Sequence, residues 1–377
     1  MNKKFSLYIH IPFCEKKCYY CDFVSCVSTA QNHFDYMQKL FEEIKIKSRY
    51  VTKSIDSIFI GGGTPSLLDV ELSSRLFEVI NSCFKLSSDC EITTEANPNS
   101  LSYDKLKSYR ALGVNRLSVG VQSIDDNVLN TIGRVHNFDT VKKCVENIHK
   151  VGYDNFNLDI MANLPNQNFE SYQSSLEFAV DSGAKHISAY SLILEEGTDL
   201  ESMYEEGLYT YDEELDRLMY GYTKEYLISK GFNRYEVSNY AIDNYACRHN
   251  SYCWDFEEYL GVGLNSSSYI NQVRFKNISN LKNYLMIEDF IDKKNYDEIE
   301  FYNGNELEQD YIMLRLRTSK GIDVKEINSL FKIDFIRKYE SIINELKSQN
   351  FVSLNSTNLF VTDKGMDFNN YVIEQFI

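Results

Sequence analysis

Six apolar, β-branched runs alternate with helical patterns through the first half of this chain, and that alternation constrains its fold most tightly. The runs cover residues 5–11, 57–61, 91–95, 116–121, 156–161 and 186–194. Amphipathic stretches at 34–46, 71–84, 103–112, 140–151 and 170–182 lie between them. Strand, helix and strand in series build a parallel sheet with helical crossovers. Six such units suit a partial barrel as well as an open doubly wound sheet. In both, the active face lies at the C-terminal ends of the strands.

The rhythm changes after residue 200. A helix is expected over 211–230, stopped by Gly231, and a strand over 234–240. Beyond residue 280 the βα alternation is gone. Helical stretches at 305–316, 324–331 and 335–349 lead to two short strands, 351–354 and 359–362, and a last helix, 363–375. This reads as a small α+β domain of winged-helix type. That fold often binds DNA, but a net charge of −16 argues against nucleic acid as a partner and favours a structural or docking role. No uncharged apolar run approaches membrane-spanning length, and no signal peptide is read at the start. A cytoplasmic protein with reduced thiols is expected.

Three cysteines, Cys14, Cys18 and Cys21, stand just past the first strand with spacing C-x3-C-x2-C. Three thiolates on one tight loop can hold three corners of a cubane iron–sulfur cluster, leaving one iron open to a small molecule. A zinc site that adds His10 is the competing chemistry, although structural zinc usually takes C-x2-C pairs. Chance clustering is the third reading. A disulfide framework is disfavoured, because nine cysteines are few for 377 residues.

Further motifs fall at the strand ends. Gly61-Gly62-Gly63-Thr64-Pro65 allows close backbone approach to a ligand and lacks the lysine of a phosphate loop. Glu95 closes the third strand, Gln122 the fourth, and Asp159 lies in the fifth, with Arg134 and His136 between. A carboxylate on an apolar strand is costly to bury alone. Glu95 and Asp159 therefore either pair with Arg116 or Arg134, or form a polar ring that recognises a ribose and an amino-acid moiety.

A second cluster runs Tyr245-Ala246-Cys247-Arg248-His249-Asn250-Ser251-Tyr252-Cys253-Trp254 and holds the single tryptophan. Imidazole and thiolate beside flat aromatic surface suit haem iron and a porphyrin plane. A lone loop histidine is as readily a hydrogen-bonding residue. Residues 259–265 read as another close-approach glycine loop.

Taken in order, Leu-Tyr-Ile-His-Ile-Pro-Phe-Cys-x3-Cys-x2-Cys-Asp-Phe, Gly-Gly-Gly-Thr-Pro-Ser, Glu-Ala-Asn-Pro, Gly-Val-Gln-Ser, Gly-Arg-x-His and Ala-Tyr-Ser-Leu resemble one family. It is the radical S-adenosylmethionine family of oxygen-independent coproporphyrinogen III oxidases, in particular its haem chaperone branch. The resemblance runs motif by motif from about residue 5 to about residue 271 and is looser afterwards. It implies an α/β fold, a partial (βα)6 radical-SAM barrel with a small C-terminal winged-helix-like domain. The implied divisions are a core at 1–200, a haem-motif and connecting extension at 201–280, and a C-terminal domain at 281–377.

The resemblance also implies a [4Fe–4S] cluster on Cys14, Cys18 and Cys21, with S-adenosylmethionine chelating the open iron. Tyr8, Gly62, Gly63, Thr64 and Glu95 would surround it. Tyr20, Gln122, Arg134 and Asp159 match positions that bind a second such molecule in the oxidase. An electron from the cluster would cleave the sulfonium to methionine and a 5′-deoxyadenosyl radical. The decarboxylating branch typically adds a cysteine two residues past the third, where this chain has Phe23. The chaperone branch carries His-Asn-x-x-Tyr-Trp, matched here by His249, Asn250 and Trp254, with Cys253 in place of tyrosine and a further candidate to meet iron. A second departure is Met161-Ala162-Asn163-Leu164-Pro165, where the family usually has a bulky residue and glycine before Leu-Pro. The leading expectation is a haem chaperone that serves client haem proteins, respiratory ones among them, and draws on an electron donor for its cluster. Coproporphyrinogen III oxidation is the rival, and anaerobic haem modification the third reading.

Overall fold

The computed structural model describes residues 3–27 and 29–377. Six parallel strands form its centre: β1 (Phe5–Ile11), β2 (Ile55–Gly62), β3 (Leu86–Ala96), β4 (Arg116–Gln122), β5 (Phe156–Ala162) and β6 (His186–Ser191). Each pairs in parallel with the next, so all six C-terminal ends face one way. Helices α1 (Ala30–Lys47), α2 (Val70–Cys83), α3 (Tyr103–Ala111), α4 (Phe138–Val151) and α5 (Phe169–Asp181) make the crossovers. Side-chain caps start each of them, Thr29, Asp69, Ser102, Asn137 and Asn168 each accepting from a first-turn amide. Leu7, Ile9, Ile58, Leu117, Val119, Phe156, Leu158 and Ile187 belong to one continuous buried core.

The sheet extends beyond the six expected strands on both sides. On one side, helix α6 (Glu213–Ser229) leads to β7 (Asn233–Arg234) and β8 (Asn239–Ala241), which continue it antiparallel to β6. The single strand expected over 234–240 is thus two short ones joined by a turn. On the other side, β9 (Glu258–Val262) lies parallel to β1 as a seventh parallel strand. It is followed by antiparallel β10 (Ser267–Ile270), β11 (Val273–Asn277) and β12 (Tyr296–Phe301).

Residues 259–265, read as a close-approach glycine loop, begin as strand β9, and what their glycines approach is the chain itself. Gly261 lies against the Ser267 backbone, and Gly263, at φ +94°, lies against the Tyr36 hydroxyl and the His10 carbonyl. These glycines serve a close crossing of chains. The crossing is held by a buried Glu43–Lys47 pair at 2.8 Å. Glu43 also accepts from Gly263 N–H (2.8 Å), Tyr284 O–H (2.6 Å) and Asn277 Nδ2 (2.7 Å). A buried charge pair is tolerable when its remaining lone pairs are used in this way.

A second, separate core lies in the C-terminal part, built on Tyr311, Ile327, Phe335, Leu346 and Leu359. Its elements are α7 (Gly304–Leu316), β13 (Ile322–Asp323), α8 (Val324–Phe331), two short helices at Phe335–Lys338 and Glu340–Ser348, and the hairpin β14 (Val352–Leu354) and β15 (Asn358–Val361). The three strands pair in the order β13, β15, β14. The last expected helix breaks at Phe368, whose ring leaves the helical path to pack on Phe351 with centroids 5.6 Å apart. Among the described residues no helix is long and apolar enough to cross a membrane.

Candidate functional site

The cysteine loop is pinned before it can hold anything. Phe13–Cys14 pairs in parallel with Cys26–Val27, closing the loop, and Cys26 N–H donates to the Pro12 carbonyl at 2.7 Å. Tyr19 N–H donates to Ile132 (3.1 Å) and its carbonyl accepts from Leu200 (2.8 Å), tying the loop to the far strand ends. His10 fixes it from below. Its Nε2 donates to the Val24 carbonyl at 3.0 Å, so Nδ1 is the acceptor for Tyr8 O–H, also at 3.0 Å. Both ring nitrogens are used, and burial holds the imidazole neutral. His10 is therefore a brace and does not complete a zinc site.

Among the described residues no three His, Cys, Asp or Glu side chains converge as ligands of one metal ion would. A cubane places a separate iron before each thiolate, so its ligands stand farther apart than the four around one zinc.

Around this loop opens a narrow cleft of about 130 Å³. Cys14, Cys18 and Cys21 line it together with Tyr20, Gly62, Gly63, Thr64, Glu95, Gln122, Arg134 and Asp159. All of these came from the sequence, from strands distant along the chain. Tyr8 does not line the cleft; it lies beneath, its ring 6.3 Å from Phe59, and reaches the loop through His10. Asn97, Ser118, Gly120 and Tyr190 also line the cleft and were not singled out. Asn97 and Tyr190 sit inside motifs already noted, and their strand-end position was the available signal.

The glycines form a cradle. A Cβ on Gly62, at φ +112°, would meet the His10 ring at 2.6 Å, and one on Gly63 would meet the Phe13 carbonyl at 2.7 Å. Gly62 N–H instead donates to Glu95 Oε2 at 3.0 Å. Gln122 is a non-glycine residue at φ +67°, where β4 shifts register against β5. Strain of this kind collects at working sites.

Arg134 is placed by the short helix Asp126–Thr131, which Asp125 caps at Asn127 N–H (2.8 Å). Gly133, at φ +77°, turns the chain out beneath the Tyr19 ring. The guanidinium then reaches Cys18 Sγ at 3.4 Å and Asn97 Oδ1 at 2.7 Å, and its Nε has no partner. Thr64 Oγ1 lies 3.8 Å from Cys14 Sγ and accepts from Asn97 Nδ2 at 3.1 Å. His136 is a brace, Nε2 against the Val121 carbonyl at 3.2 Å. Burial first and Arg134 second push it down to about 3.

Desolvation dominates the electrostatics. It raises the Glu95 carboxyl to about 8, helped by the like charge of Asp159, and it raises Asp159 as well. Neither carboxylate forms an ion pair with Arg116 or Arg134 among the described residues. Arg116 acts on both carboxylates, and Arg134 on Asp159, only as weaker, longer-range charges. Two under-compensated carboxylates in a cleft fit a cationic ligand with hydroxyls. S-adenosylmethionine has that character, and thiols beside a guanidinium fit a cluster. The residues present suit both groups.

The second cluster sits elsewhere. Residues Arg248–Trp254 form a short helix against β1, β2 and β9, at the other end of the strands. The carboxylate of Glu91 accepts from Arg248 N–H at 2.8 Å at its start. His249 is buried inside the barrel, its Nδ1 3.1 Å from Ser57 Oγ and its ring 5.2 Å from Phe59. Burial, and then the charge of Arg116, push it down to about 3. Ser57 and Gly62 are five residues, about 16 Å of strand, apart on β2, and the His249 ring spans part of that rise, reaching Tyr8 with centroids 6.4 Å apart. Trp254 Nε1 is buried without a partner, and the ring faces Arg317 at 6.0 Å. Burial raises the Cys253 thiol to about 12. Asn250 is half-buried beside His249 on the same helix.

Comparison with known proteins agrees with this geometry. Residues 8–179 match the Radical SAM superfamily, and 306–368 match the HemN C-terminal domain. A protein of Lactococcus lactis named heme chaperone HemW is 34% identical over 378 residues, covering 100% of this chain and 98% of that one. The chain belongs to the HemW family of radical SAM proteins. The Bacillus subtilis HemW is 33% identical over 99% of both chains, and the Escherichia coli HemW 37% identical over 68% of both. The solved structure of Escherichia coli coproporphyrinogen III oxidase, HemN, superposes with a TM-score of 0.87 at 21% identity, over 99% of this chain and 90% of that one. Membership in the superfamily implies a [4Fe–4S] cluster and S-adenosylmethionine.

Proposed function

We propose that this protein is a radical-SAM haem chaperone. It carries a [4Fe–4S] cluster on Cys14, Cys18 and Cys21, binds S-adenosylmethionine in the adjoining cleft, and holds haem through the His249–Trp254 segment for delivery to client haem proteins. The observation that carries this reading is the place of the His249 helix, bonded to Ser57 and packed on Phe59 near the start of β2, while the cofactor cleft opens at the end of that strand. An enzyme that attacks its porphyrin by radical chemistry must hold it against the cofactor. A carrier has no such need.

When bound, the cluster and S-adenosylmethionine supply one-electron chemistry. The chain's residues orient and shield them. Gly62 and Gly63 admit the ligand's polar end, Glu95 and Asp159 balance its charge, and Tyr20 with Arg134 closes the wall beside Cys18. On the haem side His249 would hold the iron, because burial favours its neutral imidazole whereas it keeps the Cys253 thiol protonated. Ser57 fixes its tautomer and ring angle. His249 is buried, so taking up haem requires the Arg248–Trp254 helix to shift. Asn250 and Trp254, on the same helix, would line the site beside His249. The division into a core at 1–200, an extension at 201–280 and a C-terminal domain at 281–377 is the working frame for this scheme. Partners are haem, client haem proteins and a reductant for the cluster.

The test is transfer. Haem-loaded protein mixed with an apo haem protein of the respiratory chain is expected to give up its haem intact. The same reconstituted protein, given coproporphyrinogen III, dithionite and S-adenosylmethionine anaerobically, is expected to yield no vinyl-bearing product. Turnover to protoporphyrinogen IX would overturn the carrier reading in favour of the oxidase.

A further inference from the structure

A partly buried chain of hydrogen bonds joins the two sites through the barrel. Asn157 Nδ2 donates to Asp159 Oδ1 at 2.6 Å and to Ser118 Oγ at 2.8 Å. Asn157 Oδ1 accepts from Ser188 N–H at 3.0 Å, which fixes the orientation of the amide. The same oxygen lies 2.7 Å from His186 Nδ1. An amide oxygen only accepts, so Nδ1 carries the proton and Nε2 is the bare nitrogen. Tyr235 O–H, 2.7 Å from Nε2, must then donate to it. Tyr235 oxygen in turn accepts from Cys247 N–H at 3.3 Å, at the cap of the His249 helix.

Every donor in this series points the same way, from Cys247 through Tyr235, His186 and Asn157 to the Asp159 carboxylate. Burial keeps His186 neutral and the Tyr235 hydroxyl protonated, so the polarity of the chain does not reverse near neutral pH. Aligned bonds polarise one another, and their strength depends on the charge at the accepting end. Tyr235 also gives its carbonyl to Ser319 N–H at 3.0 Å, which brings the C-terminal domain to the same node.

We infer that Tyr235 and His186 are positioning residues that couple the cofactor cleft to the haem helix: a cation bound at Asp159 weakens the chain and frees the His249 helix to take haem. The inference rests on the carrier reading above. A cationic ligand offsets the Asp159 charge and so weakens the terminal charge-assisted bond. The loss passes along His186 and Tyr235 to the Cys247 amide. Two sites joined by a coupling energy affect each other reciprocally.

Amide hydrogen exchange over residues 245–252 reads this without haem. In cluster-reconstituted protein, S-adenosylmethionine is expected to speed exchange in that segment about fivefold, the low end of typical coupling. In Tyr235→Phe the segment should exchange fast already and should not respond further. Haem titration gives the reciprocal reading: S-adenosylmethionine tightens haem binding about fivefold in the wild type, and Tyr235→Phe binds haem tightly without it. A purely structural tyrosine would instead weaken haem binding in that variant. Thermal melting of Tyr235→Phe and of Asp159→Asn, which removes the charge at the other end, checks that both fold. Unchanged or slowed exchange in the wild type overturns the coupling, as does a response that survives in Tyr235→Phe. An exchange response without any haem uptake would uphold the coupling and overturn the haem reading.

Discussion

Arg134 Nη1 lies 3.4 Å from Cys18 Sγ, and the same guanidinium reaches Asn97, which in turn reaches the Thr64 hydroxyl beside Cys14. One positive group thus stiffens two corners of the cluster loop and sits within its field. A hydrogen bond to a charged partner contributes about 1.5–3 kcal/mol. Arg134→Leu is expected to leave the fold intact and make the reconstituted cluster several-fold more labile to chelator, followed by its visible absorbance. It should also lower the cluster's midpoint potential by roughly 40 mV, if about 1 kcal/mol of the interaction favours the more negative state. An unchanged potential and lifetime would remove Arg134 from the site.

Glu95 makes stability depend on pH in a defined direction. Its folded-state value, about 8, lies above the ordinary 4.5. Between those values the folded protein holds a proton that the unfolded chain has lost, so stability falls as pH rises. The cleft admits water to Glu95, so the loss is smaller than full burial would give, on the order of 2 kcal/mol. Glu95→Gln is expected to melt higher than the wild type at pH 8, with no difference at pH 4.5, while losing affinity for S-adenosylmethionine. In the wild type, binding that cation near pH 7 should release a proton, measurable from the buffer dependence of the binding enthalpy.

Gly63 tests the cradle by sterics alone. Its φ is not in the left-handed region, so alanine adds no backbone strain, yet its Cβ would stand 2.7 Å from the Phe13 carbonyl. The clash is with backbone of the cysteine loop, which must move. Gly63→Ala is expected to cost about 1–3 kcal/mol and to lower iron and sulfide incorporation. Gly304→Ala, with nothing near its Cβ, serves as the control.

Much of this was legible in the chain. The six central strands announced themselves through β-branched runs, and the cleft residues through their places at strand ends. Local pattern does not show which distant segments meet. Strand β9 holds Gly261, with Gly263 just beyond it, and reads as a loop, because its parallel pairing to β1 is made across some 250 residues. The role of His10 was equally hidden: its partners, Val24 and Tyr8, follow from how the loop folds back. His249 was found by motif, but its burial against Ser57 and Phe59, away from the cluster, is a property of the closed barrel. Glu91, Asn157, His186 and Tyr235 carry no local signature at all.

The central claim is that haem is held by residues of the His249 helix and not by the cysteines of the cluster loop. The most direct measurement is an anaerobic haem titration, followed in the Soret band, on three proteins: wild type, His249→Ala and a Cys14, Cys18, Cys21 triple serine variant. The account predicts haem uptake by the wild type and the cluster-less variant with similar spectra, and an uptake weakened at least tenfold in His249→Ala, whose cluster content stays normal. Undiminished uptake in His249→Ala, or uptake lost with the cysteines alone, would contradict it.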